Sequence, residues 1–443
     1  MNLMLLKMGV FMYKFDYKSA AEFILQRPPA KGEHSLEKIR RLLNLFENPQ
    51  DKIKAIHVAG TNGKGSTSKM LAKAFSSQNK VGIFTSPYIS RINEAIAING
   101  WQISDKDFAD LVSRIKNPVE NLDKEGVYLT YFEVLTAIMY IYFYEQNVDI
   151  AIVETGLGGL LDSTNIIRKP IASVITTISM DHTNILGNSI EEIAYQKAGI
   201  IKEGVPVFIY PQTKEAMDVL LDKARETNSK VYTFNKDEIE IERADERANI
   251  FNFRTYKDVH LRLLGIHQIY NASLVLMVID YFKDEFALDE DTIKKALAKA
   301  ENIGRLTEIS KEPRVIVDGS HNKESIDALK EALKIFTYKR LIIGFSVLKD
   351  KDYAYIIDSL NDLADELVVT TIDNPRAFSL EELKDIVGQK RKEFIAIKDN
   401  IKAYEYSKSL YKKGDLIVWC GSLYLISDLI NYENQTKSQE LLK

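Results

Sequence analysis

Cysteine is nearly absent: Cys420 is the single one in 443 residues. That excludes an internal disulfide framework and suits a reducing, cytoplasmic setting. The strand-like run LIVWCG around it reads as a site for a small buried residue, not a reactive thiol. An excess of one charge is missing too. The chain carries 59 Lys and Arg against 63 Asp and Glu, a net charge of −4. Composition therefore gives no footing for nucleic acid or an anionic membrane as a partner. Long apolar runs are also lacking. The most apolar stretch, YFEVLTAIMYIYFYE (Tyr131–Glu145), contains Glu133 and is shorter than the roughly 20 residues a spanning helix needs. It is expected to be a buried helix. The opening MNLMLLKMGVFMYKF is broken by Lys7 and has no small-residue cleavage site, so it does not read as a signal peptide. Met8 and Met12 are alternative starts.

What is present is an ordinary globular composition, 45% hydrophobic and 28% charged. A chain of this length exceeds one hydrophobic core, which makes two domains the default. Strand-like runs alternate with helical ones: IKAIHV (53–58), VGIF (81–84), DIAIVE (149–154), IASVITTI (171–178) and VPVFIY (205–210). Between Asp149 and Glu154 the run DIAIVE is continuously apolar, as a strand buried on both faces is. A helix is expected over 189–202, with Ser189 as N-cap and Glu192 three residues on. The charged, irregular stretch 231–264 reads as an antiparallel excursion, followed by helices near 267–282 and 289–300. The polar segment ENIGRLTEISKEP (301–313) marks the domain boundary. A second series of strands follows: VIVD, RLIIGF, ELVVTT, FIAI and LIVWCG. The polar tail after Asn431 is expected to fray. The fold class is therefore α/β: a mostly parallel-sheet domain carrying a phosphate loop (1–300), then a smaller Rossmann-like α/β domain (301–443).

The run HVAGTNGKGSTSKM (57–70) fails the common phosphate-loop spacing G-x-x-x-x-G-K-[ST]. Counting back from Gly63-Lys64 puts Val58 where the first glycine belongs. Counting forward from Gly60 reaches Gly65 with no lysine after it. The ingredients are still those of an anion cradle. A strand leads into a turn rich in Gly60, Gly63 and Gly65, and a helix start bearing hydroxyls follows. Glycines let the backbone approach an anion closely, and N–H groups at a helix start attract it. Lys64 supplies a point charge, and Ser66 or Thr67 could hold Mg²⁺. The competing reading is a plain β–α turn.

Glu154 directly follows its strand, and His182 lies in SMDHTNILG just beyond the next one. In open α/β sheets ligands gather beyond the carboxyl ends of strands, so the loop, Glu154 and His182 are expected to converge. Taken singly, Glu154 could cap a helix and His182 could be a satisfied histidine of core or surface.

HVAGTNGKGSTS, TSPYISRINEAIAING, TYFEVLTA, VETGLGGLLDSTN, SMDHTNILGNSIEEIAYQKAGIIK, GRLTEI, VDGSHN, KDKD and CGSLYL occur in this order. Together they resemble the folylpolyglutamate synthase/dihydrofolate synthase family, within the Mur ligase group, over about residues 12–430. In that family the loop lysine precedes Gly-Ser, so the loop is an intact one of another type. The resemblance implies an ATP-dependent ligase. A folate carboxylate is converted to an acyl phosphate, and L-glutamate displaces the phosphate, with dihydropteroate as a second acceptor. It implies Mg²⁺ as cofactor, ATP, L-glutamate and a folate or pterin as partners, and a monomer. Gly60, Thr61, Asn62, Gly63, Lys64, Gly65 and Ser66 match residues that cradle the ATP phosphates. Ser86, Glu154 and His182 match magnesium ligands, and Lys197 matches a lysine carried as a carbamate, itself a ligand. Lys64, Glu154, His182 and Lys197 form the implied catalytic set. CO₂ adds only to a neutral amine, so this role requires the Lys197 pKa to fall well below about 10.4. Asn271 resembles an adenine-side contact. Arg305 and Asp318, and more weakly His321, resemble residues that reach ATP from the linker and the second domain. Thr130, Tyr131, Phe132 and Glu133 match a pterin- or folate-binding stretch, with Asp162 and Ser163 close to it.

Four positions depart from the family pattern. Leu160 and Ala95 stand where arginines are usual, Tyr88 replaces a histidine, and Ile303 replaces a proline. The missing arginines would weaken binding of an anionic substrate, which leaves the acceptor open. A related ligase acting on another carboxylate, such as a cell-wall precursor, is one competing reading. An ATP-binding protein without ligase turnover is another.

Overall fold

The computed structural model describes residues 14–29, 35–391 and 393–440, so the alternative starts Met8 and Met12 lie outside the described residues. Strands and helices alternate along the chain. The first sheet contains β1 (Ala55–Ala59), β2 (Val81–Phe84), β3 (Ile96–Ile98), β4 (Trp101–Gln102), β5 (Ile150–Glu154), β6 (Ala172–Ile175), β7 (Val207–Ile209) and β8 (Val231–Tyr232). Their spatial order is β4-β3-β2-β5-β1-β6-β7-β8. Pairing is parallel from β2 through β8. The edge hairpin β3–β4 is antiparallel. Every residue of β1 and β5 is buried, as inner parallel strands covered on both faces require.

Helices supply that cover. Lys64–Phe75 and Ile266–Phe282 pack on one face through Met70, Leu71, Leu274 and Val278. Tyr131–Glu145 packs on the other through Leu135, Ile138 and Phe143. Its apolar character is that of a core helix. Among the described residues no helix is long and apolar enough to cross a membrane.

The excursion at 231–264 divides. Its first two residues form the edge strand β8, while β9 (Ile239–Ala244), β10 (Asn249–Phe253) and β11 (Tyr256–Leu261) make an antiparallel sheet. The third sheet holds β12 (Thr307–Lys311), β13 (Arg314–Val317), β14 (Leu341–Phe345), β15 (Glu366–Val369), β16 (Ile395–Ala396) and β17 (Leu416–Cys420), in the order β12-β13-β17-β14-β15-β16. Only β12 runs antiparallel to its neighbour. Cys420 is buried in β17.

Two expectations need correction. The helix expected over 189–202 ends at Ala198. Gly199 meets the backbone of Leu160 there, and Ile200 and Ile201 turn into the core. The tail after Asn431 does not fray within the described residues, because it continues the helix Leu423–Glu440. Leu425, Ile426, Leu429 and Ile430 bury that helix, and Glu433 accepts from the Tyr404 hydroxyl at 2.5 Å.

Candidate functional site

The order β5-β1-β6 decides where the site forms. Val58 pairs with Glu154 on one side, and Ala59 pairs with Ile175 on the other. The loop after β1 therefore emerges between Glu154 and the turn that carries His182. Thr61 donates its amide to Thr177 O at 2.6 Å. The Thr61 hydroxyl donates to Ser179 O and accepts from its amide, both at 3.1 Å. The Thr176 hydroxyl donates to Asn62 O at 2.8 Å. The loop is thus strapped to the end of β6. A side chain at Gly60 would put Cβ 1.8 Å from Thr176 Oγ1, and Gly63, at φ +85°, opens the helix Lys64–Phe75. Both positions need glycine, one for space and one for backbone angle. The Lys64 ammonium curls back to Gly60 O and Thr61 O at 3.0 and 3.1 Å. Burial pulls its pKa down, and Glu154 and Asp181 oppose that pull.

Glu154 is 3% exposed, and its Oε2 has no hydrogen-bond partner. Burial pushes its pKa up to about 7, against the pull of Lys64, Lys69 and Arg305 and a hydrogen bond from the Ser86 backbone. A buried, partnerless carboxylate oxygen calls for a cation or a proton. Lys197 is 2% exposed and donates to Gly60 O at 2.8 Å. Burial, then the neighbouring Lys64, lowers its pKa to about 7. His182 sits at φ +50° ahead of the short helix Thr183–Leu186. Burial and then Lys351 bring it down to about 4, which leaves a neutral imidazole at pH 7.

Among the described residues no three His, Cys, Asp or Glu side chains form a ready-made metal cluster. The donors at hand are the Glu154 carboxylate, the Ser86 and Ser66 hydroxyls and the neutral His182. The oxygen donors suit Mg²⁺, which takes few protein ligands and completes its shell with phosphate and water.

Most of the residues expected from the sequence meet in a cavity of about 130 Å³. Gly60 to Ser66, Ser86, Glu154, His182, Lys197, Arg305 and His321 line it. Ser86, His182 and His321 also line a neighbouring cleft of about 1020 Å³. Thr130, Tyr131, Phe132, Glu133, Asp162 and Ser163 line this cleft too, and Lys351 and Arg376 line it from the C-terminal half. Glu133 accepts from the Thr130 amide at 2.7 Å and donates its own amide to the Thr130 hydroxyl. This capping box commits the carboxylate to the helix start. Asp162 is similarly committed, accepting from the amides of Leu157 and Thr164 at 2.8 and 3.0 Å.

Two expected residues stand behind the site. Asn271 lies under Gly63, its Oδ1 unpaired. The Asp318 carboxylate accepts from the amides of Leu306 and Ser320 at 2.8 and 2.9 Å, which ties the linker to the VDGSHN turn. The departures are also placed. Leu160 packs on Gly199 and Ala95 is buried, so neither faces the cleft. Tyr88 lines the cleft beside Tyr131.

The sequence reading missed a link between the two halves. Asp181 pairs with Lys351 at 2.6 Å and accepts from Asn322 Nδ2 at 2.9 Å. Burial opposes ionisation, yet the His321 imidazole 3.7 Å away and the Lys351 charge hold Asp181 well below the usual carboxylate range. Both partners lie in motifs singled out above, SMDHTN and KDKD, but 170 positions apart. Asn302 was missed as well; its amide donates to Ser66 Oγ at 3.0 Å.

Comparison with known proteins identifies the family. Residues 58–279 match the Mur ligase middle domain, and residues 304–423 match the Mur ligase, glutamate ligase domain. A dihydrofolate synthase/folylpolyglutamate synthase of Bacillus subtilis is 38% identical over 425 residues, 93% of this chain and 98% of that protein. A Mycobacterium tuberculosis folylpolyglutamate synthase complexed with ADP superposes with a TM-score of 0.87 at 29% identity, covering 94% of this chain and 99% of that one. An FPGS–AMPPCP–folate complex superposes with a TM-score of 0.82 at 30% identity, over 94% and 98% of the two chains. The chain belongs to the folylpolyglutamate synthase/dihydrofolate synthase family of Mur ligases.

Proposed function

We propose that this chain is an ATP-dependent ligase that adds L-glutamate to the γ-carboxylate of folates, with dihydropteroate as a second acceptor. One observation carries the reading. The cavity that holds the phosphate loop and the partnerless Glu154 oxygen shares Ser86, His182 and His321 with a cleft large enough for a folate. Support comes also from the relatives' names and from the folate and ATP analogue bound in a related structure.

In this reading Gly60 to Ser66 cradle the ATP phosphates, with Lys64 neutralising charge that grows as the γ-phosphoryl group moves. Asn271, Arg305, Asp318 and His321 hold or back the nucleotide. Thr130 to Glu133, Asp162 and Ser163 form the acceptor wall and aim the folate carboxylate at the γ-phosphate. A carboxylate repels an amine nucleophile. Phosphorylation removes that charge and supplies a leaving group, which the amine of L-glutamate displaces. Ser86, Glu154 and His182 are the side chains suited to hold Mg²⁺, which supplies charge neutralisation at the phosphates when bound. Lys197, buried and with its pKa near 7, is suited to react with CO₂ and act as an acidic ligand. A domain boundary near residue 300, a monomer and a cytoplasmic site of action belong to the same proposal.

Phosphate release from Mg²⁺-ATP with L-glutamate tests it, using tetrahydrofolate and dihydropteroate side by side. The expected result is release that requires glutamate and acceptor together, with a product heavier by one glutamyl residue. Release only with some other carboxylate would point to a different Mur-type ligase, and nucleotide binding without release would point to no ligase at all.

A further inference from the structure

Glu324 lies in the first turn of the helix Lys323–Leu333, which packs on the third sheet. Its carboxylate reaches the other half of the chain. Oε2 accepts from Asn62 Nδ2 at 2.6 Å, from the Ser179 hydroxyl at 2.8 Å and from the Thr177 hydroxyl at 3.1 Å. Asn322, the N-cap of the same helix, adds a reciprocal amide pair with Asn62 at 3.2 Å. Asn62 belongs to the phosphate loop, while Thr177 and Ser179 extend from the end of β6. One carboxylate from the C-terminal half therefore pins the loop to the strand end that straps it. Hydrogen bonds to an ionised oxygen are shorter and stronger than neutral ones, so the set converging here is more than incidental contact.

The bland account is an acid at a helix N-terminus, where it favours its own helix. That account explains the first-turn position. It does not explain three donors from the opposite half meeting on one oxygen, one of them on the loop.

From these contacts we infer that Glu324 is a positioning residue for the nucleotide. Docking of the C-terminal half reaches the phosphate loop through this carboxylate and fixes Asn62, so the loop takes its binding shape with the two halves together. Glu324 acts through Asn62 and touches no reacting atom. The inference rests on the ATP reading above.

The test uses the full chain and Mg²⁺ with the non-hydrolysable analogue AMPPCP, measured by calorimetry beside steady-state kinetics. If the unaltered protein does not bind the analogue, the ATP reading and this inference both fall. If it binds, Glu324→Gln is expected to weaken analogue binding and raise the KM for ATP about tenfold, the cost of a hydrogen bond to a charged group. The KM for the acceptor and the Tm should hold. Asn62→Ala should give a comparable loss, and adding Glu324→Gln to it should cost nothing further, because the contact is already gone. An unchanged KM for ATP in Glu324→Gln, or losses that multiply in the double variant, would overturn the inference and leave the ATP reading intact. Should Glu324→Gln fail to fold, Ser179→Ala removes one donor from the same oxygen. A rise of about threefold in the KM for ATP is then expected, and no rise overturns the inference.

Discussion

The Lys197 ammonium donates to the carbonyl of Gly60 at 2.8 Å, inside the protein. The helix Ile190–Ala198 thereby holds the first glycine of the phosphate loop. A buried amine next to Lys64 is also one that gives up its proton readily. Lys197→Ala is expected to lower the rate of glutamate-dependent phosphate release by about 100-fold or more, the scale of disturbing a metal site. Added acetate or formate should restore part of it by standing in for a lost carboxylate. Full activity in the variant would remove the carbamate role.

Glu154 is buried with one oxygen unsatisfied, so it costs the fold stability in the absence of a cation. Glu154→Gln removes the charge and keeps the shape. Its Tm without Mg²⁺ should equal or exceed that of the unaltered chain, while turnover falls by about 100-fold. A lower Tm would show that the carboxylate serves the fold and not the site.

Lys351 and Asp181 pair at 2.6 Å with side chains 6% and 8% exposed. Removing one partner of a buried pair strands the other, at a cost of about 3 kcal/mol. Lys351→Met should destabilise the protein by that amount in urea melts. The double change Lys351→Met with Asp181→Leu should recover much of it. Additive losses in the double variant would mean that the two residues act independently.

His57 lies fully buried in β1, its Nε2 2.8 Å from the Thr164 hydroxyl, which itself donates to Asp162. Nε2 therefore carries the proton. Burial pushes the pKa down to about 3. Below about pH 6.5 the unfolded chain takes up a proton here that the folded chain refuses. Stability from this site is thus full above that pH and is lost as pH falls. Between pH 7.5 and 5 the loss should be about 2 kcal/mol greater than in His57→Gln. Parallel stability profiles for the two proteins across that range would contradict it.

Much of the fold was legible because inner parallel strands must be apolar on both faces. DIAIVE and LIVWCG announced themselves for that reason, and their strands, Ile150–Glu154 and Leu416–Cys420, are buried throughout. Short edge strands carry no such mark, so the hairpin β3–β4 and the antiparallel β12 were not foreseen. The fraying expected after Asn431 is not seen because the tail continues a helix anchored upstream by Leu425, Ile426, Leu429 and Ile430, and holds on through Glu433 and Lys437, polar contacts that composition does not show. In the site, glycine spacing and the strand-end positions of Glu154 and His182 pointed to one place. Leu160 and Ala95, read as losses to substrate binding, face away from the cleft, which no spacing could reveal.

The sequence by itself determined local chemistry: a strand, a glycine turn and a helix start that can hold an anion, and polar residues at the ends of apolar strands. Backbone angles and burial periodicity act over a few residues, so they can be read along the chain. Tertiary structure decided which of those polar groups meet. Asp181 with Lys351, and Asn62 with Glu324, are joined only because the loops and helix starts beyond the strands of two sheets, built from separate halves, meet. Such pairings depend on shape and on desolvation at the junction, and neither leaves a pattern in the order of residues.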